Sequence, residues 1–520
     1  MNVETTENPR TGLKRLLKNV LLEFCDDTTI HGCKNIGKES NNMVLRILWV
    51  CCLLACSSYC FYSCSQIFQN FYSYPSTTKI SVVQEIPTLF PAFSFCNAKS
   101  LNMSSNLTRD YVKLHASSII DEASVRFLTG NDQNLSETAR KEMGFQIEEM
   151  LIYCYFNFKF CNYSDFKYFY NPLYGNCYTF NSGFFDNGTE RKIETVSSNG
   201  YNYGLQIALY LGDPSADLYD TYYSGIVASI NNQSIEPFTK GDLIKASATK
   251  STDLIVNRNF ITKLPAPYGN CLQDTSKSST FSSKYFDYIV RNLGYNYSEE
   301  YCRSLCLQDR TIQLCGCANL WIPIFANNSS LYCESDTDQN CMLDFFSTYI
   351  DIFNAECNTA CPVECYSIDY NIVSHSFIYP NYAEALNLYN WSKNTSKNLS
   401  LQDIPSAFLE VRVFYHSIQY TVTEQVIQMI QSDLLSSFGG VLGLFLGVSL
   451  LSFFEIVDLF WKLFQVLISF KKKKTKSKQI SLKKPTVISV EENRTKQFSR
   501  IINTRVKLKS IRRKFIFYKR

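Results

Sequence analysis

Four glycines, Gly439, Gly440, Gly443 and Gly447, sit in an uncharged run of 21 residues from Leu434 to Phe454, between Asp433 and Glu455. Three of them are spaced by four, which lets helices pack closely through small faces. A second reading adds Ser449. In Gly447-Val448-Ser449 a glycine and a hydroxyl flank one residue deep in the apolar run. If the helix opens there, the freed carbonyls must line water or bind ions, because lipid cannot satisfy them. Glu455 and Asp458 follow closely. Acids at the edge of a span are costly unless they face a wet lumen, so they read as a cation-attracting ring. A cation pore and a packed signalling helix are both open on these residues alone.

The 21 cysteines are the other reactive set. Seven lie before residue 65: Cys25, Cys33, Cys51, Cys52, Cys56, Cys60 and Cys64. The other 14 fall between Cys96 and Cys365. An even set in one block indicates an oxidised compartment for that block and free thiols elsewhere. Cys302 and Cys306, like Cys357 and Cys361, are four apart and so share a helix face. Two such helices, antiparallel, could be laddered by bridges, although spacing alone does not give connectivity. Zinc is a poor alternative, because the block has no C-x-x-C pair and no nearby His. With four His in the chain, a multi-His metal enzyme is not expected. No nucleophile–His–acid signature or phosphate loop appears, so an ectoenzyme is not expected either. No cofactor and no nucleic-acid partner are expected.

These residues need a membrane and a body to position them. The uncharged stretch from Ile47 to Thr78 begins with 22 residues, 47–68, enough to cross a ~30 Å hydrocarbon layer. It lies too far in, runs too long and lacks the cleavage site of a signal peptide. The second run continues apolar to Phe470. After Phe470 there are 19 Lys and Arg against 2 Asp and Glu, while residues 1–42 are neutral. Positive charge stays in the cytoplasm. Two spans therefore place both termini inside and the cysteine block outside, at the plasma membrane. Glycosylation sequons agree: Asn102, Asn106, Asn134, Asn162, Asn187, Asn232, Asn296, Asn327, Asn328, Asn390, Asn394 and Asn398 all lie between the spans. The predicted division is 1–42 cytoplasmic, 43–70 first span, 71–430 extracellular, 431–468 second span and 469–520 a basic, partly disordered tail. That tail is either a stop-transfer flank with solvated charge or a binder of anionic lipid, at about 1 kcal/mol per well-placed Lys or Arg. Alternating runs at Phe90–Phe95, Gly204–Leu211 and Phe408–Tyr415 read as strands.

The run FGGVLGLFLGVSLLSFFEIVDLFW (438–461) closely resembles the second transmembrane segment of the degenerin, epithelial sodium channel and acid-sensing channel superfamily. Thr28-Thr29-Ile30-His31-Gly32 resembles its cytoplasmic His-Gly gating motif. Phe90–Asn97 resembles the strand after the first span, and Leu264–Cys271 the start of the thumb. The 14 extracellular Cys match the number and order in acid-sensing channels. The resemblance implies an α+β fold: two transmembrane helices and a large disulfide-rich extracellular domain of wrist, palm, β-ball, finger, thumb and knuckle, assembled as a homo- or heterotrimer. It implies bridges Cys96–Cys177, Cys154–Cys161, Cys271–Cys365, Cys302–Cys361, Cys306–Cys357, Cys315–Cys341 and Cys317–Cys333.

It also assigns roles. Gly447-Val448-Ser449 becomes the selectivity filter for permeant Na+. Val448 departs from the usual Ala or Ser, which leaves strict sodium selectivity in doubt. Ser436 falls on the small-residue degenerin position, near which amiloride-type blockers act in relatives. Acid-sensing channels carry an Asp where this chain has Ser437. Asp433 lies one turn earlier on the same face, so an Asp ring admitting or binding Ca2+ is expected. Tyr74 matches the wrist tyrosine, and Tyr268 stands where its aromatic partner is expected. The His-His pair of acid-sensing channels is missing from Pro75–Ser81, which lowers the expectation of proton gating. The compact chain with the plain Cys set looks most like the peptide-gated, RFamide-type branch. Proton-gated and constitutive or mechanical channels are the alternatives, and a non-conducting two-pass receptor is a distant one.

Overall fold

The computed structural model describes residues 9–37, 42–115, 118, 122–132, 134–216, 223–239, 243–277, 281, 283–322 and 331–480. The sequons at Asn327 and Asn328 and the basic stretch 481–520 lie outside the described residues. The chain divides into two units: Asn70–Ile430, and a second made of Met1–Gln69 with Gln431–Arg520.

The spine of the first unit is the 13-residue strand Lys250–Thr262. Burial alternates along its middle, with Leu254, Val256 and Arg258 buried and Asp253, Ile255 and Asn257 half-buried, the period of two of a strand. Tyr366–Ile378 pairs antiparallel along its full length. On its other edge it pairs in parallel, first with Phe408–Tyr415 and then with Gln419–Ile427. Leu205–Tyr210, Leu151–Phe156 and Lys159–Phe160 extend the sheet on one side and Ser76–Gln84 closes the other, for eight strands in all. Ser76–Gln84 and Gln419–Ile427 are antiparallel from Ser76 opposite Ile427 to Gln84 opposite Gln419. The Gln428 amide donates to the Pro75 carbonyl (3.0 Å), so the two ends of this unit leave side by side.

A five-stranded sheet packs against the first, in the order Ile244–Ser247, Gly225–Asn231, Ala92–Asn97, Gly175–Phe180 and Phe166–Asn171. Between them lies an aromatic core, in which the Phe90 ring meets Phe156 (5.0 Å), Tyr415 (6.0 Å) and Phe180 (6.3 Å) edge-on. Such rings combine large apolar area with a favourable edge-to-face geometry. The first of these inner strands begins at Ala92 rather than Phe90, because Pro91 has no N–H for the ladder. The other two strand expectations fall on Leu205–Tyr210 and Phe408–Tyr415.

Seven disulfides hold this unit, with the pairing that the resemblance implies: Cys96–Cys177, Cys154–Cys161, Cys271–Cys365, Cys302–Cys361, Cys306–Cys357, Cys315–Cys341 and Cys317–Cys333. Cys302 and Cys306 project from the helix Glu299–Cys315; Cys357 lies on Ile350–Ala360 and Cys361 caps its end. Two rungs a turn apart thus lock these helices. The remaining seven cysteines are free.

Among the sequons, Asn102 needs a correction. It is 5% exposed and its amide donates to Glu149 (3.2 Å), so the folded chain does not present it for glycosylation. Asn106, Asn134, Asn162, Asn187, Asn390, Asn394 and Asn398 are exposed, and Asn232 and Asn296 are half-buried.

In the second unit the helix Met43–Tyr72 is long and apolar enough to cross a membrane. The helices Gln431–Leu446 and Leu450–Ser469 pass the same test only as a pair, bent by 67° at the break between them. The lower one continues to Ile480. The basic stretch is therefore helical at its start, where a partly disordered tail was expected; lysine is a good helix former and simply extends the helix already running.

Candidate functional site

The break at residues 447–449 is the point where the second unit departs from regular structure. Gly447 ends the upper helix with φ +67°, in the left-handed region. Its amide donates to the Gly443 carbonyl (3.0 Å), and the Val448 amide to Leu442 (3.3 Å). This is a left-handed C-cap, which glycine takes without steric penalty. Below it, Ser449 and Ser452 cap the next helix reciprocally. The Ser449 amide donates to Ser452 Oγ (2.9 Å) and the Ser452 amide to Ser449 Oγ (3.3 Å). Serine three residues apart does here what the Ser/Thr with Glu/Gln box does elsewhere.

The Thr28–Gly32 segment seats on this break. The His31 amide donates to the Leu446 carbonyl (2.9 Å), one of the groups freed by the interruption. Thr29 and Ser452 share a hydroxyl hydrogen bond of 2.6 Å. Glu455 Oε2 accepts from the Thr28 hydroxyl (2.9 Å), the Thr29 amide (3.0 Å) and the Thr29 hydroxyl (3.3 Å). Gly32 turns with φ +88° beside Trp49 and Leu53. A Cβ on Gly447 would run into the His31 ring.

Glu455 thus anchors a loop, where an acid facing an open lumen was expected; a carboxylate beside two hydroxyls and an amide N–H is held by them. Asp458 pairs with Lys462 (3.2 Å), which also reaches Glu23 (3.8 Å). Gly439, Gly440 and Gly443 have open space around them. Asp433 and Ser436 lie exposed in the first two turns of Gln431–Leu446.

In the first unit Tyr74 and Tyr268 meet edge to face, with ring centroids 5.3 Å apart. The sequence does not single out Thr28, Thr29 and Ser452 as partners of the break. Its only signal is three hydroxyls beside a His-Gly turn and below a glycine. No group of three or more metal-ligating side chains occurs among the described residues.

An apolar helix interrupted at a left-handed glycine, with a polar loop bonded into the gap, belongs to membrane proteins with more to do than anchor. The family model described as "Amiloride-sensitive sodium channel" matches residues 24–459. The chain belongs to that family, one of ion channels and not of enzymes. It is similar to the epithelial sodium channel subunit gamma of Rattus norvegicus, 27% identical over 376 residues, 71% of this chain and 53% of the relative. The Homo sapiens gamma subunit is 26% identical over 378 residues, 71% of this chain and 53% of the relative. The chain spans about half the length of the curated relatives it matches.

Proposed function

We propose that the chain is one subunit of a trimeric, amiloride-sensitive, sodium-permeable cation channel of the plasma membrane, opened by an extracellular neuropeptide. The observation that supports this best is the interruption at Gly447 within an otherwise apolar helix. In this reading Gly447-Val448-Ser449 is the constriction, formed where three copies approach. Residues 43–70 and 431–468 cross the bilayer, residues 71–430 face outward, and residues 1–42 and 469–520 face the cytoplasm. Ser436 lies at the blocker site, and Asp433 forms a ring that interacts with Ca2+. Tyr74 and Tyr268 carry movement of the disulfide-stapled helices toward the pore. The Thr28–Gly32 loop sets the inner end of the constriction.

A second reading is favoured by the relatives' own names. They are gamma subunits, so this chain would work as one member of a heteromeric, constitutively open sodium channel. Whole-cell recording separates the two. The chain is expressed alone and with related subunits, and amiloride, acid and RFamide peptides are applied in turn. Peptide-evoked, amiloride-blocked sodium current supports the first reading. Standing current that requires a second subunit supports the other. Proton-evoked current rejects both gating assignments, and no current with any partner rejects the channel reading.

A further inference from the structure

Two thiols flank the loop that seats on the helix break. Cys25 lies in the last turn of the helix Pro9–Asp27, and Cys33 opens the helix Cys33–Gly37. The segment between them folds back so that the two helices pack against one another, and each thiol lies close enough to perturb the other. Both are half-buried and neither is in a disulfide. The other five free cysteines lie on the helix Met43–Tyr72. Between Cys25 and Cys33 are the very residues that reach Glu455, Ser452 and the Leu446 carbonyl.

From this geometry we propose that Cys25 and Cys33 are a redox-modification site. A peroxide oxidises them to an intramolecular disulfide that fastens the Thr28–Gly32 loop at its base and holds it on the interrupted helix. The inference rests on the proposed topology, in which this segment faces the reducing cytoplasm, where disulfides are transient and regulatory. The chemistry balances in two steps. One thiol attacks the peroxide, the O–O bond breaks, and a sulfenic acid and one water form. The second thiol then displaces the sulfenic oxygen as a second water, closing the S–S bond. Each sulfur gives up one electron and one proton, and the peroxide takes both pairs.

Burial holds both thiols above their ordinary range; Asp26 adds to this for Cys25, and the neighbouring Cys25 for Cys33. The resting pair is therefore protonated and slow to react. Closing the bridge removes much of the loop's freedom to leave its seat, because a cross-link restricts the conformations available between its ends.

The test uses the full chain in membranes with hydrogen peroxide on the cytoplasmic face, followed by alkylation and non-reducing peptide mapping. The expected result is a Cys25–Cys33 linked peptide, absent in Cys25→Ser and in Cys33→Ser. Amide exchange at 28–32 and 446–449 should slow about tenfold or more on oxidation. No link at a peroxide dose that oxidises other free thiols of the chain overturns the proposal, as does a link that leaves exchange unchanged. A pair already linked before peroxide places the segment in an oxidising compartment and overturns it too. A chain that forms the bridge on demand yet carries no current supports the dithiol and counts against the channel reading.

Discussion

Replacing Gly447 by alanine isolates the geometry of the break from its composition. At φ +67° an L-residue is strained by about 1–2 kcal/mol. The new methyl also meets the His31 ring, whose Cγ and Cε1 would lie 2.6 Å away. The ring must move, which loosens the His31 amide bond to Leu446, worth about 0.5–1.5 kcal/mol. The sum is about 1.5–3.5 kcal/mol, which shifts the seated loop by roughly 10- to 400-fold. Gly443→Ala is the control. It lies inside a helix with nothing within 4 Å of the added methyl. Alanine is favoured there over glycine by up to about 1 kcal/mol. The assay is amide exchange of His31 in the full chain reconstituted in lipid. His31 should exchange at least about ten times faster in Gly447→Ala and no faster in Gly443→Ala. Equal exchange in the two variants would refute the claim that the loop is seated through this glycine.

Three further outcomes follow from the first unit. A double-mutant cycle of Tyr74→Ala and Tyr268→Ala should give a coupling of about 0.5–1.5 kcal/mol in unfolding by denaturant, and additivity would deny the ring contact any energy. Removing the Cys302–Cys361 rung should cost less than half of what removing both rungs costs. Cys306–Cys357, one turn away, still closes a loop of 51 residues; melting of the single and double pair variants measures this. Glu236 is half-buried near Tyr295 and Lys167, and burial pushes its carboxyl up to about 7. A raised acid binds its proton more tightly in the folded state, so its contribution is full below about 4.5 and is lost as pH rises through about 7. Melting temperature should therefore fall between pH 5 and pH 8 more steeply in the parent chain than in Glu236→Gln. Parallel slopes would show that Glu236 does not titrate there.

Much of this molecule is legible because its signals are local. An uncharged run marks an apolar helix, a glycine at 447 marks an interruption, and cysteines four apart mark rungs on a helix. The disulfide partners became legible only through resemblance, since spacing leaves many connectivities open. The seat of the loop was not legible. Thr28 and Glu455 are 427 positions apart, and a hydroxyl donating to a carboxylate leaves no periodicity in either segment. The same blindness made Glu455 read as a free ring of charge when it is a hydrogen-bond acceptor for the loop. Asn102 carries a perfect sequon but is buried, because a tripeptide motif says nothing about the packing around it. The helical start of the basic stretch was missed for the opposite reason: charge density was weighed and helix propensity was not.

If residues 447–449 form the ion constriction, as proposed, the reversal potential depends on the side chain between Gly447 and Ser449. With sodium outside and potassium inside, the parent chain and Val448→Ser are recorded with whichever subunits support current. Both should carry amiloride-blocked current, with a reversal potential that moves toward sodium in Val448→Ser as the apolar side chain at the constriction gives way to a hydroxyl. Identical reversal potentials at equal surface expression would contradict it and place the selective point elsewhere in the chain.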